Sequence, residues 1–187
     1  MTPSFWKDKK VLITGHTGFK GSWLSLWMQE LGSSVYGYAL EPSTSPNLFS
    51  EAKISNGMES YLADILDEKK LNSFMEETQP DIIFHMAAQP LVRESYKNPK
   101  DTFNTNIMGT VNLFESIRKT CTPRAVINVT TDKCYENKEW LWGYKETDPM
   151  GGHDPYSSSK GCSELITNAY RSSYFFNTNT AVASARA

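Results

Sequence analysis

Lys10-Val11-Leu12-Ile13-Thr14-Gly15-His16-Thr17-Gly18-Phe19-Lys20-Gly21 is the stretch that decides the fold of this chain. Val11 to Ile13 is a short apolar run with β-branched residues, bounded by glycine, as in a buried strand of a parallel sheet. Phe19, Trp23, Leu24, Trp27, Met28 and Leu31 then recur at helical spacing, and Gly32 stands where a C-terminal stop belongs. Strand, glycine turn and helix together are the setting in which Gly-x-x-Gly-x-x-Gly binds a dinucleotide. Gly15 permits the tight turn, Gly18 lets the backbone approach a pyrophosphate, and Gly21 lets helix and strand pack closely. Exposed backbone N–H groups and the helix dipole then hold the phosphates. Thr17, Phe19 and Lys20 complete the turn. The bland alternative is a glycine-rich turn that binds nothing.

Outward from this unit the alternation continues. Ser34 to Ala39 predicts a second strand, followed by a Pro/Ser/Asn-rich loop from about Glu41 to Gly57. Tyr61 to Ile65 predicts a third strand, Glu68 to Thr78 a helix stopped at Pro80, and Asp81 to Met86 a fourth strand. Phe103, Ile107, Val111, Phe114 and Ile117 mark a long amphipathic helix after Pro99, and Ala125 to Val129 a fifth strand. Asp154-Pro155 opens another helix, with proline at a position where it is tolerated, running to about Tyr174; Ala181 begins a sixth strand. The fold class is therefore α/β, a Rossmann-type doubly wound parallel sheet spanning residues 1–187, with ligands at the carboxyl ends of its strands.

A second motif lies far downstream. Thr130-Thr131-Asp132-Lys133-Cys134-Tyr135-Glu136-Asn137 leads through Trp140, Trp142 and Gly151-Gly152-His153-Asp154-Pro155 to Tyr156-Ser157-Ser158-Ser159-Lys160. Tyr156 and Lys160 are one helical turn apart on one face. An ammonium there favours the phenolate and draws a tyrosine pKa down from ~10, making a base able to deprotonate a sugar hydroxyl. Tyr-x-x-x-Lys alone arises often by chance; paired with the glycine turn it is specific.

Composition excludes other classes. Hydrophobic residues are 39% and charged residues 21%, with a net charge of −2, which suggests neither nucleic acid nor a membrane as partner. No apolar run approaches the ~20 residues of a membrane span. Cys121, Cys134 and Cys162 are odd in number and far apart, as expected of reduced thiols in a cytoplasmic protein. His16, His85 and His153 lack metal-ligand spacing, so no metal is expected.

Three signatures beside the 130–160 block carry a resemblance. They are Thr14 to Trp23, His85-Met86-Ala87-Ala88-Gln89-Pro90-Leu91-Val92-Arg93, and Thr105-Asn106-Ile107-Met108-Gly109-Thr110. With them the chain resembles the N-terminal part of an extended short-chain dehydrogenase/reductase, of the nucleotide-sugar 4,6-dehydratase kind. The resemblance implies an NAD-dependent lyase acting on CDP-glucose in deoxysugar (O-antigen) biosynthesis. It implies that Tyr156, helped by Lys160, deprotonates the 4-hydroxyl, that Thr131 holds the 4-oxygen, and that Asp132 protonates the departing 6-hydroxyl. Lys133 stands where related dTDP-glucose dehydratases carry a Glu as C5 base, and it either serves as that base or stabilises an enolate. NAD is expected to contact the glycine turn, Asp64, Ile65, Ala87, Ala88, Gln89, Asn106, Tyr156 and Lys160, with Asp64 on the adenine. Asn106 is expected to shape the site through backbone hydrogen bonds. Arg93 and Ser95 meet the sugar nucleotide or stay in solvent; Trp140 and Trp142 form a substrate platform or pack on the domain.

No arginine follows the second strand to bind a 2′-phosphate, and Glu41 lies close behind it, which favours NAD over NADP. His16 and Lys20 depart from the small and apolar residues common in this turn. The resemblance further implies a homodimer, paired through the helices near 100–118 and 156–172, and a C-terminal substrate domain outside these 187 residues. The chain alone is expected to bind NAD without turnover. Two rivals are a sugar-nucleotide 4-epimerase of the same fold, which the Asp132-Lys133 pair argues against, and a non-catalytic dinucleotide-binding module.

Overall fold

The computed structural model describes residues 3–187. Six strands, β1 (Lys10–Thr14), β2 (Ser34–Ala39), β3 (Met58–Leu62), β4 (Ile82–His85), β5 (Ala125–Thr130) and β6 (Ala181–Arg186), form one sheet. Every pairing is parallel, and the spatial order is β3-β2-β1-β4-β5-β6. The chain therefore winds outward from β1 to one edge and then returns past it to build the other half. The reversal opens a crevice at the carboxyl ends of β1 and β4, the switch point at which such sheets bind ligands. This is the doubly wound Rossmann sheet that the alternating pattern predicts.

The helices are α1 (Pro3–Trp6), α2 (Phe19–Glu30), α3 (Leu48–Glu51), α4 (Glu68–Thr78), α5 (Val92–Lys97), α6 (Pro99–Phe103), α7 (Gly109–Thr120) and α8 (Pro155–Tyr170). β1 is buried on both faces, and its alternation splits the core in two. Val11 and Ile13 pack with Trp6, Met28, Val35 and Ile82, while Leu12 packs with Tyr38, Leu71, Ile83, Leu113 and Phe114. No helix among the described residues is long and apolar enough to cross a membrane.

Several boundaries differ from expectation, each for a local reason. β3 forms at Met58–Leu62 rather than 61–65, because its register against β2 runs from Val35↔Met58 to Ala39↔Leu62. The chain then turns at Asp64, whose carboxylate accepts from the Leu66 N–H at 2.9 Å. The 41–57 loop contains α3, capped by Asn47, which accepts from the Ser50 N–H at 2.9 Å. Gln79, in the left-handed region at φ 46°, ends α4 just before the proline. The long helix after Pro99 is interrupted by a π-helical segment at Asn104–Met108 between α6 and α7, and another at Arg171–Phe175 follows α8. A short helix, α5, precedes them where none was expected.

α2 buries a face that hydrophobic spacing does not indicate. Gly21, Ser22, Ser25 and Met28 face inward, whereas Phe19, Trp23 and Trp27 are 72%, 53% and 62% exposed. A Cβ on Gly21 would lie 2.2 Å from the Gly15 carbonyl oxygen. The helix thus approaches the turn so closely that only small side chains fit beneath it, and the aromatic stripe faces away.

Candidate active site

The glycine turn is held by the strand ends on either side. Thr14 Oγ1 contacts His85 Nδ1 at 2.8 Å and accepts from the Met86 and Ala87 N–H groups at 3.1 Å. Ala87 is thereby drawn beneath Gly15, where a Cβ would meet the Ala87 nitrogen at 2.7 Å and where φ is +75°. Thr17 Oγ1 donates to the Leu40 carbonyl at 2.7 Å, joining the turn to the end of β2. His16 is buried beneath the second strand; its Nε2 lies 2.7 Å from Ser60 Oγ. Burial lowers its pKa to about 4, so it is neutral at working pH. No side chain caps the N-terminus of α2 at Gly18, and its first-turn N–H groups stand open to an anion. The cradle fits a dinucleotide pyrophosphate on these grounds: side-chain-free backbone at Gly15 and Gly18, an uncapped twelve-residue helix, and Lys20 exposed beside it.

Facing this cradle, β5 delivers Thr131-Asp132-Lys133 and α8 delivers Tyr156 and Lys160. Thr131 caps a 3-10 turn at Asp132–Cys134, accepting from the Lys133 N–H at 3.4 Å and donating to Asp132 Oδ1 at 3.1 Å. Lys133 Nζ pairs with Asp132 Oδ1 at 3.3 Å on the exposed side of this turn. Burial opposes ionisation of Asp132, but hydrogen bonds from Thr131 and Lys133 and the lysine charge prevail and hold its carboxyl below the ordinary range. α8 starts beneath the turn because Asp154 caps it, accepting from the Ser157 N–H at 3.0 Å and its hydroxyl at 2.6 Å. A Cβ on Gly152 would strike the Ser157 backbone at 2.4 Å, so glycine is required there for the loop to pass over the helix.

Tyr156 and Lys160 are both buried. Burial raises the Tyr156 phenol, and the groups foremost in drawing it back down are the Thr131 hydroxyl and then the Lys133 ammonium. In the free protein the phenol therefore stands above its ordinary value, not below it as the spacing implies. Lys160 Nζ points instead to the Val129 carbonyl at 3.4 Å. Burial first, and the nearby charge of Lys20 second, bring Lys160 down to about 8, while Glu164 opposes them.

A cavity of about 460 Å³ opens beside the Asp132–Cys134 turn, lined among others by Val92, Asp132, Lys133, Tyr135, Tyr144 and His153. Tyr135, Tyr144 and His153 have no candidate role in the sequence; tyrosines adjoining the Asp-Lys pair within one loop are the signal that points to them. Trp140 packs on Tyr144 with ring centroids 5.5 Å apart, and neither Trp140 nor Trp142 lines the cavity, which favours packing over a platform. Ser95 is corrected as a substrate contact: it is fully buried and its hydroxyl donates to the Val92 carbonyl at 2.7 Å. Arg93 is exposed, and Val92 rather than Arg93 reaches the cavity.

Asn106 bears its backbone role rather than a direct cofactor contact. It accepts from the Gln89 N–H at 2.8 Å and donates to the Gln89 carbonyl at 3.1 Å and to Ser159 Oγ at 2.8 Å, which uses its whole amide. The Gln89 side chain is likewise spent on Leu91 and Thr102. Ile65 belongs to the core, so it can offer the crevice only backbone, while Asp64 is exposed at the end of β3. Cys121, Cys134 and Cys162 are free thiols, and no cluster of His, Cys, Asp and Glu among the described residues is arranged to hold a metal.

Comparison with known proteins shows what the chain is similar to. A family model described as GDP-mannose 4,6 dehydratase matches residues 12–185. A CDP-glucose 4,6-dehydratase of Salmonella typhimurium is 55% identical over 172 residues, 92% of this chain and 48% of that protein. A UDP-glucose 4-epimerase of Mycoplasma genitalium is 31% identical over 167 residues, 86% of this chain and 47% of that protein. The crystal structure of UDP-glucose 4-epimerase from Brucella ovis in complex with NAD superimposes with a TM-score of 0.80 at 24% identity, covering 95% of this chain and 51% of that one. The chain spans about half the length of the curated relatives it matches.

Proposed function

The chain belongs to the GDP-mannose 4,6-dehydratase family, and on that premise we propose that the whole protein is an NAD-dependent 4,6-dehydratase of CDP-glucose. One observation carries the proposal: Asp132 and Lys133 from the turn after β5 line one cavity together with Asp154 and Ser157, which bracket Tyr156 at the start of α8. The 55% identity to the Salmonella enzyme supports the choice of sugar nucleotide. Glu41 behind β2 and the lack of an arginine there support NAD over NADP.

When bound, NAD supplies the redox chemistry, taking hydride from C4 of the sugar and giving it back at C6, so the net reaction is loss of water. Tyr156 takes the proton of the 4-hydroxyl while Thr131 holds that oxygen. The 4-ketone acidifies the C5 proton, which Lys133 removes, and Asp132 gives a proton to the 6-hydroxyl as it leaves. In the free protein Asp132 is ionised and paired with Lys133. A single proton passed from Lys133 to Asp132 as the sugar excludes water would make the lysine a base and the carboxyl an acid together. The proton held by Lys133 then returns to C5, and the proton that Tyr156 took from the 4-hydroxyl passes on to Lys133, so the starting charges are restored and one water has left. Lys160, held near the Val129 carbonyl in the free protein, turns its charge toward the cofactor, as Lys20 does.

A homodimer paired through the helices near 100–118 and 156–172 is proposed as well, and Met108 and Leu165 stand exposed within those stretches. An epimerase would share the glycine turn and the Tyr156/Lys160 pair but has no use for an acid and base at C5 and C6. Incubating the full-length protein with CDP-glucose and NAD should yield the 4-keto-6-deoxy sugar nucleotide. Formation of CDP-galactose instead would overturn the proposal in favour of the epimerase.

A further inference from the structure

Glu164 is a buried carboxylate, 6% exposed, that the proposed chemistry does not use. It lies on the α8 stripe of Tyr156 and Lys160, one turn beyond the lysine. Both its oxygens are spoken for. Oε1 accepts from the Thr130 hydroxyl and from Arg186 Nε at 3.0 Å, and Oε2 accepts from the Ser184 hydroxyl at 2.8 Å and from Arg186 Nη2 at 3.1 Å. A bidentate pair of this kind fixes orientation as well as distance.

Arg186 has one group left, and it reaches the site. Its Nη1 donates to the Tyr135 phenol oxygen, and its guanidinium carbon stands 4.9 Å from the centre of that ring. Tyr135 closes the turn that carries Asp132 and Lys133, its N–H donating to the Asp132 carbonyl at 3.2 Å. Its ring stacks on Tyr144 with centroids 5.2 Å apart and planes 8° from parallel, and both line the cavity. A buried ion pair contributes little net stability next to an apolar filling of the same volume, so stability alone is a weak reason for it.

We propose that Glu164 and Arg186 form a clamp between α8 and β6 that holds Tyr135, and through it Asp132 and Lys133, in register with Tyr156. Arg186 and Tyr135 are positioning residues for the dehydration, which rests on the function proposed above. The clamp links the two sides of the site, base on α8 and acid–base pair on the loop, through one carboxylate.

Tyr135→Phe in the full-length protein removes the phenol oxygen that Arg186 holds yet keeps the stacked ring, so folding is spared. Amide hydrogen exchange over residues 134–151 should quicken by about fivefold or more while α2 stays protected. The kcat for CDP-glucose should fall about tenfold, because small displacements of catalytic groups are costly, with NAD affinity and Tm held. Arg186→Lys, which keeps the charge but not the fork, should fall between wild type and Arg186→Met in both readouts. Unchanged exchange in Tyr135→Phe would overturn the clamp, and so would faster exchange with unaltered kcat. Loss of NAD binding in step with kcat would mark a merely structural role and also overturn it. A wild-type protein inert toward CDP-glucose would sink the proposed function instead, and the exchange measurement would still decide whether the clamp exists.

Discussion

Tyr156 and Lys160 share a helical face, but the free protein does not use that proximity as the spacing implies. Burial raises the phenol, and Lys160, itself down to about 8, is turned toward the Val129 carbonyl. Tyr156→Phe should lower turnover at least ~100-fold with the ring still filling its space, and near-normal rates would discard the base assignment. Lys160 carries a second expectation. Its ammonium is disfavoured by burial and by Lys20, so Lys20→Met removes one cause and should move the Lys160 pKa upward. If protonated Lys160 supports the reaction, rate is lost as pH rises through its pKa. The alkaline limb of the rate profile, measured with NAD below saturation, should then shift to higher pH in Lys20→Met. A limb that stays in place would show that Lys160 does not set it.

Elements place these residues, and here close backbone approach matters more than hydrophobic pattern. Gly21→Ala sets a Cβ against the Gly15 carbonyl, where neither backbone can yield cheaply. It should cost about 1–3 kcal/mol of stability and weaken NAD binding at least tenfold, read by denaturant unfolding and titration. A variant that binds NAD normally would show that α2 can retreat without disturbing the cradle. The strand–turn–helix start, the alternation of strands and helices and the helix bearing Tyr156 are all legible in the sequence, because glycine spacing and buried β-branched runs are local signals. The inward face of α2 was not, since Phe19, Trp23 and Trp27 carry the stronger hydrophobic signal yet point outward. β3 departs from its expected place because an edge strand takes its register from β2 rather than from its own alternation. Within the site, Asp132 and Lys133 line one cavity with Asp154 and Ser157, the neighbours of Tyr156 at the start of α8. Ser95 does not join them; tyrosines in the loop after the Asp-Lys pair are a sequence signal for Tyr135 and Tyr144, while His153 reaches the cavity only through the shape of the 132–153 loop.

The whole molecule keeps two histidines buried and neutral at its ligand crevice. Burial takes His16 to about 4 and His85, with a further push from Lys160, to about 3. Both groups bind protons more readily unfolded than folded, so stability is full above ~6.5 and declines as pH falls from there toward 4. Urea midpoints between pH 7 and 4.5 should fall accordingly, and flat midpoints would mean that acid opens the crevice without unfolding the chain. The central claim concerns the reaction that this crevice and the Asp132-Lys133 loop serve together. CDP-glucose carrying deuterium at C4, turned over by the full-length protein with NAD, tests it most directly. A redox-neutral dehydratase must carry that deuterium to C6 of the same product molecule, found there by NMR. Deuterium returned to C4, as in an epimerase, or left on NADH that accumulates with product, would contradict the account.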